Sequence, residues 1–190
     1  MARRQTASQK SPRLDSAIWI EAALDALANG GVEAVRVEPL AKALKVTKGS
    51  FYWHFADRRA LIDAMLAAWS QGRIAAIRQQ SGGAGAPDIR LRDLAELYTR
   101  HGNMRGLAIE LSIRALARSD ARAADAVRAV DSERLKQVGQ LFGGLGWTPS
   151  DAQARAVLFY SYLFGESLLD AKAVTVRARE TAIRALLAQP

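Results

Sequence analysis

Nine residues in the first third of the chain, Thr47-Lys48-Gly49-Ser50-Phe51-Tyr52-Trp53-His54-Phe55, hold four aromatic rings and one of its two histidines. Phe51 and Phe55 are four apart, so on a helix they share a face. Lys48, Ser50, Tyr52, Trp53 and His54 then point elsewhere. Such a helix needs neighbours that bury its two phenylalanines while its aromatic and hydrogen-bonding groups stay outside. That requirement limits what can flank it.

The flanks meet it. A short helix is expected from Val37 to Leu44, with Leu40, Ala41 and Leu44 as its inner face. Pro39 falls in its first turn, where a missing N–H costs nothing. Lys45-Val46 reads as a turn, and the Thr47 hydroxyl is placed to cap the next helix. Upstream, Ser11-Pro12 signals the start of a longer helix. Its stripe is Ile20, Ala23, Leu24 and Leu27, and Asn29-Gly30-Gly31 ends it. Two short helices joined by a tight turn behind a supporting helix form the helix-turn-helix pattern. Residues 1–11 are polar and basic and read as an arm.

The rest of the chain also has helical periodicity. Asp57 is placed to cap a helix over Arg58–Gln80, with Leu61, Ile62, Met65, Leu66, Trp69, Ile74 and Ile77 on one stripe and Gly72 as a possible bend. A glycine-rich loop follows at 81–87. Helices are expected over 88–100, with Leu91, Leu94, Leu97 and Tyr98 inward, and over 104–118 and 121–142. His101-Gly102-Asn103 breaks the first pair, and Ser119-Asp120 caps the third. Thr148-Pro149-Ser150-Asp151 opens another helix with a capping hydroxyl, a proline and an acid. That helix is apolar nearly all round from Val157 to Phe164, so it needs cover on two sides. A last, alanine-rich helix spans about 176–188. The expected fold is all-α with about nine helices: an arm and three-helix helix-turn-helix domain over 1–57, then a larger helical domain over 58–190.

From Val37 to Leu61 the run VEPLAKALKVTKGSFYWHFADRRAL resembles the helix-turn-helix signature of the tetracycline-repressor (TetR) family of transcriptional regulators. The leucine-alanine pair, the valine-threonine, the aromatic-Tyr-x-His-Phe run and the Asp-Arg before a leucine stand at the family's spacing. The resemblance covers about residues 12–62. It implies an all-helical homodimer whose N-terminal domain binds a palindromic operator in double-stranded DNA, and the absence of cysteine fits a cytoplasmic protein. The C-terminal domain would hold a small-molecule effector pocket and the dimer interface, and the usual output is repression relieved by the effector. Two positions depart from the pattern. Lys45 stands where the family usually has a turn glycine. Arg36 and Val37 stand where a serine or threonine usually opens the second helix.

Chemistry assigns roles within the reading helix. Base identity is read in the major groove by side-chain donors and apolar contacts, whereas phosphates fix register. Lys48 and Ser50 are the base-edge candidates, and Gly49 lets the backbone approach. Thr47, Tyr52 and His54 suit phosphates, Trp53 a sugar or a thymine methyl. Arg36, Lys45 and Arg58 are phosphate candidates. The net charge of +8 and a sequence pI near 10.3 are consistent with a polyanionic partner.

In the C-terminal domain Trp69, Tyr98, Met104, Leu111, Phe142, Phe159 and Tyr160 are the effector-pocket candidates, suited to a mainly apolar ligand. The last two helices are expected to form a two-fold, four-helix dimer interface through Leu158, Tyr162, Gly165, Leu169, Ile183 and Leu186. No catalytic constellation stands out, the acidic residues fall mostly on polar faces, and His101 reads as solvated. Without cysteine, and with two histidines, no metal or cofactor is expected. Apolar runs are too short to span a membrane. The alternative function is a helical ligand-binding or scaffolding dimer that has lost DNA binding.

Overall fold

The computed structural model describes residues 15–99, 104–169 and 174–188 of the 190-residue chain. The arm, the Ser11-Pro12 signal and the His101 break lie outside the described residues. The chain forms two compact units, Met1–Met65 and Leu66–Pro190. The described elements are helical, and none of the described helices is long and apolar enough to cross a membrane.

The first unit contains α1 (Ser16–Gly30), a 3-10 turn at Val32–Ala34, α2 (Val37–Ala43), α3 (Lys48–Tyr52) and the start of α4 (Arg58–Ser81). Helix α1 begins at Ser16, where Asp15 is extended (φ −66°, ψ 152°) and its carboxylate accepts from the Ala17 N–H. At the other end Gly31 takes φ +67° and donates its N–H to the Leu27 carbonyl at 2.9 Å. A left-handed residue there suits glycine, which has no Cβ to clash. The buried face of α1 is Trp19, Ala23, Leu24 and Leu27, with the expected Ile20 only half-buried. Trp19 is the larger ring, and it is fully enclosed by turning its edge to Phe51. Asp57 caps α4 as expected, accepting from the Ala60 N–H at 2.8 Å.

The second unit contains the rest of α4, α5 (Pro87–Thr99), α6 (Met104–Leu116), α7 (Ala121–Gly144), α8 (Pro149–Leu168) and α9 (Val176–Leu186). Its core is an antiparallel α7–α8 pair, with Val138, Leu141 and Phe142 facing Ala152, Ala156, Phe159, Tyr160 and Leu163. Helix α5 closes one side through Leu91, Leu94 and Ala95. Leu97, expected inward, is 50% exposed, because Ala95 and the half-buried Tyr98 take the inner seam. Full burial of a side chain such as Leu91 or Phe142 stabilises by roughly 1.5–3 kcal/mol. Helix starts are set by local caps: Asp120 accepts from Ala123 N–H at 3.0 Å, Thr148 from Asp151 N–H at 3.2 Å, and Thr175 from Ala178 N–H at 3.1 Å.

One set of charges lies inside the second unit, against the expectation that acidic residues sit on polar faces. Arg134, 1% exposed at its side chain, donates from both terminal nitrogens to Glu110 at 2.7 and 2.8 Å. Arg114 joins Glu110 to Asp131, and the Arg114 and Arg134 guanidiniums both lie over the Phe164 ring. Burial pushes the Glu110 carboxyl up, but hydrogen bonds from Arg134 and the charges of Arg134, Arg114 and Arg73 outweigh it and hold it below its ordinary range.

Candidate nucleic-acid interface

The reading surface begins at the turn. Helix α2 runs out at Ala43, and the Leu44 and Lys45 N–H groups close on Leu40 and Lys42 carbonyls at 2.9 and 3.1 Å. Lys45 then takes φ +56°, the left-handed region, and the Val46 N–H returns to the Ala41 carbonyl at 3.0 Å. Among the described residues it is the non-glycine with positive φ. The left-handed conformation that most often falls to glycine is made here with a lysine, whose side chain is exposed.

Helix α3 is short, five residues from Lys48 to Tyr52. Thr47 holds its N-cap position with extended backbone, but its hydroxyl makes no cap bond. Instead its Oγ1 lies beside Gly49, 3.7 Å from where a Cβ would stand. Trp53 and His54 follow the helix, in a turn closed by the His54 and Phe55 N–H groups on the Phe51 carbonyl at 2.9 and 3.0 Å. Phe51 is fully buried and Phe55 nearly so. The Phe51 ring meets Trp19 and Tyr52 edge to face at 5.3 and 5.2 Å, and Phe55 at a tilt at 5.5 Å.

That anchor sets what faces outward. Trp53 is 79% exposed and Tyr52 54%. Arg36, Lys45, Thr47, Lys48 and Gly49 are exposed, while Ser50 and His54 are half-buried. The outward set thus brings two aromatic rings and a lysine together around a five-residue helix.

Two ionic arrangements were not legible in the sequence. Arg58 donates from Nε to the Val35 carbonyl at 2.6 Å and from Nη2 to the Val32 carbonyl, with Glu33 at 3.9 Å. Its guanidinium straps the 3-10 turn to the start of α4 through Nε and Nη2, while the side chain stays 40% exposed. Lys48 pairs with Glu38, ten residues earlier on α2. The hydrogen bond to Lys48 holds the Glu38 carboxyl below its ordinary range, and the same bond raises the Lys48 ammonium.

Residues 20–65 match the model of the bacterial regulatory proteins, tetR family. That stretch, which holds α2 and α3, is similar to the TetR family. Over 53 residues the chain is 40% identical to the tetracycline repressor protein class G of Vibrio anguillarum. That stretch is 28% of this chain and 25% of the repressor, so the chain matches about a quarter of that curated relative's length. A transcriptional regulator from a Rhodococcus species shares the fold with a TM-score of 0.74 at 20% identity, over 92% of this chain and 94% of that one. A protein from Saccharomonospora viridis, solved in complex with choline, has a TM-score of 0.72 at 15% identity, over 90% and 92%.

In the second unit the expected pocket residues divide into three groups. Phe142 and Phe159 are fully enclosed and stack edge to face at 6.3 Å. Tyr160 is buried against both Phe159 and Tyr98, and Tyr98 accepts from Arg73 Nη2 at 3.0 Å. Trp69 is buried, whereas Met104 is 64% exposed and Leu111 faces outward. A surface groove of about 690 Å³ lies between α7 and the start of α8, lined by Leu135, Trp147, Ala152 and neighbours, and by none of the expected ligand residues. No group of three or more His, Asp or Glu side chains is placed to hold a metal among the described residues.

The expected dimer residues also divide. Leu158 and Leu169 are each 58% exposed, and Gly165 is exposed. With Val157 and Leu168 they form an outward apolar strip along α8. Tyr162 and Ile183 are half-buried against the unit's own core, and Leu186 is half-buried. Helix α9 is tied to α8 of the same chain: Arg179 Nε donates to Glu166 at 2.7 Å, and Arg155 donates to the Leu186 carbonyl at 2.9 Å.

Proposed function

We propose that the chain is a homodimeric, sequence-specific transcriptional repressor that is released from a palindromic operator by a small molecule. The observation that carries this reading is the outward set of α3. Lys48, Tyr52 and Trp53 are exposed on a short helix whose Phe51 and Phe55 are buried, inside the residues that match the family model. A helix of this size fits the major groove, with side chains near its N-terminus reaching base edges. Lys48 and Ser50 read bases, Gly49 admits the backbone, and Arg36, Lys45, Thr47, Tyr52 and His54 hold phosphates or sugars around them. Arg58 acts from behind, by holding the turn, and not as a phosphate clamp.

Dimerisation is supported by the exposed strip Val157, Leu158, Gly165, Leu168 and Leu169. Several large apolar side chains in a row on one helix face are unusual on a monomer's surface and suit a second copy. Helix α9 completes the interface as a buttress for α8, with Leu186 at its edge.

The effector reading rests on the second unit. Tyr98 and Tyr160 combine aromatic faces with hydroxyls, beside Trp69 and the Arg73 guanidinium. We place a mainly apolar ligand against these residues. Phe142 and Phe159 back the site, while Met104 and Leu111 stand at its rim. A protein of the same fold was solved in complex with choline, which supports a small-molecule ligand for this chain. Helix α4 belongs to both units, so a ligand that prefers one arrangement of its second half biases the first. Two half-sites lie one DNA turn apart, roughly 34–36 Å, so a few ångströms of mismatch breaks one set of contacts. A coupling of about 1–3 kcal/mol suffices.

Operator selection from random duplex DNA tests the reading. A palindrome whose half-sites repeat at one helical turn is the expected result. Salt-sensitive binding with no sequence preference would refute sequence-specific repression.

A further inference from the structure

The Lys48–Glu38 pair is hard to account for as a stabilising contact. Both side chains are more than half exposed, and exposed pairs contribute little to folding. The pair nevertheless joins the two helices of the helix-turn-helix across the turn, at the point where the reading helix begins. It also places a carboxylate on a surface otherwise set with Arg36, Lys42, Lys45 and Lys48. A carboxylate beside a phosphate is repelled, so at this point the surface does not favour backbone contact.

What a contiguous ammonium and carboxylate do favour is a base pair that offers acceptors beside a donor. In the major groove a G·C pair presents guanine N7 and O6 as acceptors, with the cytosine N4 amine as the adjoining donor. Lys48 supplies the donor for guanine, and Glu38 supplies the acceptor for the cytosine amine. An A·T pair presents acceptor, donor and acceptor in that order. The adenine N6 amine stands where guanine has O6, so Lys48 loses one of its two acceptors, and thymine O4 and its methyl stand where Glu38 needs a donor. We propose that Glu38 is a specificity-determining residue, which with Lys48 reads one G·C pair in each half-site and prevents Lys48 from serving as an unselective phosphate contact. This rests on the DNA-binding reading above.

The pair has a second consequence. With Glu38 beside it, Lys48 adds little net positive charge, so it contributes little to sequence-independent binding. Freed of Glu38, it neutralises about one further phosphate, which steepens the dependence of log K on log salt by about 0.9 per site.

The experiment is operator selection with the full chain, its Glu38→Ala variant and its Glu38→Gln variant. Affinities for the selected operator, for single base-pair changes in it and for a random duplex are then measured at several salt concentrations. Melting of each variant controls for folding, and Gln preserves the size of the side chain. The expected result is a G·C pair in each wild-type half-site whose replacement by A·T costs the wild type about fivefold or more. Glu38→Ala loses that discrimination, binds the random duplex more tightly and shows the steeper salt slope. Unchanged preference at every position in Glu38→Ala overturns the proposal, as does an even loss of affinity across all sequences, which would mark Glu38 as a brace. If the wild type selects no sequence, the DNA-binding reading fails and the proposal with it.

Discussion

Lys45→Gly probes the left-handed turn between α2 and α3. Lys45 holds φ +56°, where a Cβ crowds the carbonyl oxygen at a cost of roughly 1–2 kcal/mol. Glycine removes that cost, but it gives the unfolded chain more freedom, worth about 0.4–1 kcal/mol in the opposite sense. The difference favours Lys45→Gly by about 0.5–1 kcal/mol. For a chain of this length that raises the melting temperature by about 1–4 °C. Lys45→Ala separates strain from charge, since alanine keeps the Cβ and loses the ammonium. It is expected to melt with the wild type. If Lys45 holds a phosphate, both variants bind operator with a salt slope shallower by about 0.9 per site. Calorimetry and salt-titrated operator binding on the three proteins give the answer. Lys45→Gly melting at or below the wild type would refute the strain, and unchanged slopes in both variants would remove the phosphate contact.

Arg58→Ala leaves the Val32 and Val35 carbonyls without their donor. It is expected to lower stability by about 1–3 kcal/mol in urea denaturation, with the salt slope of operator binding unchanged; unchanged stability with a shallower slope would restore Arg58 as a phosphate contact. Glu110→Ala strands the Arg134 guanidinium in the core, and a loss of about 3–5 kcal/mol is expected from the same measurement. Arg78 and then Gln137 hold the Glu133 carboxyl down to about 2, and Glu110 is also depressed. Both carboxyls lose their protons more readily in the fold than in the unfolded chain, so their contribution is complete above pH about 4.5 and is lost as pH falls toward 2. An acid-denaturation curve of Glu133→Gln that matches the wild type across that window would contradict this. Leu158→Asp puts a charge on the exposed α8 strip and is expected to weaken the proposed dimer about 30-fold, since loss of a central interface side chain costs about 2 kcal/mol; sedimentation that shows wild type and variant equally dimeric would move the interface elsewhere.

The readable features were those set within a few residues. Asp57, Thr148 and the Ser119-Asp120 signal marked helix starts because a capping side chain bonds an N–H two or three residues on. Phe51 and Phe55 were assignable to the interior from their spacing alone. Ile20 and Trp19 were harder to separate, since adjacent residues on a helix differ by 100° and either can lie at the edge of the stripe. Leu97 was misplaced for the same reason, with Ala95 too small to draw attention.

By itself, then, the sequence determined the helical content, most of the caps, the helix-turn-helix with its apolar anchor, and the local likeness to the TetR family. Those depend on contacts between residues three or four apart, and on a local run of many matched positions. The tertiary structure decided the charges. Glu38 meets Lys48 only because a left-handed Lys45 turns α3 back toward α2. Arg58 meets Val32 and Val35 only because α4 starts beside the 3-10 turn, and Arg134 enters the core only because α6 delivers Glu110 to it. A long flexible side chain reaches many positions, so its partner is chosen by how the helices dock, and spacing along the chain carries no record of that choice.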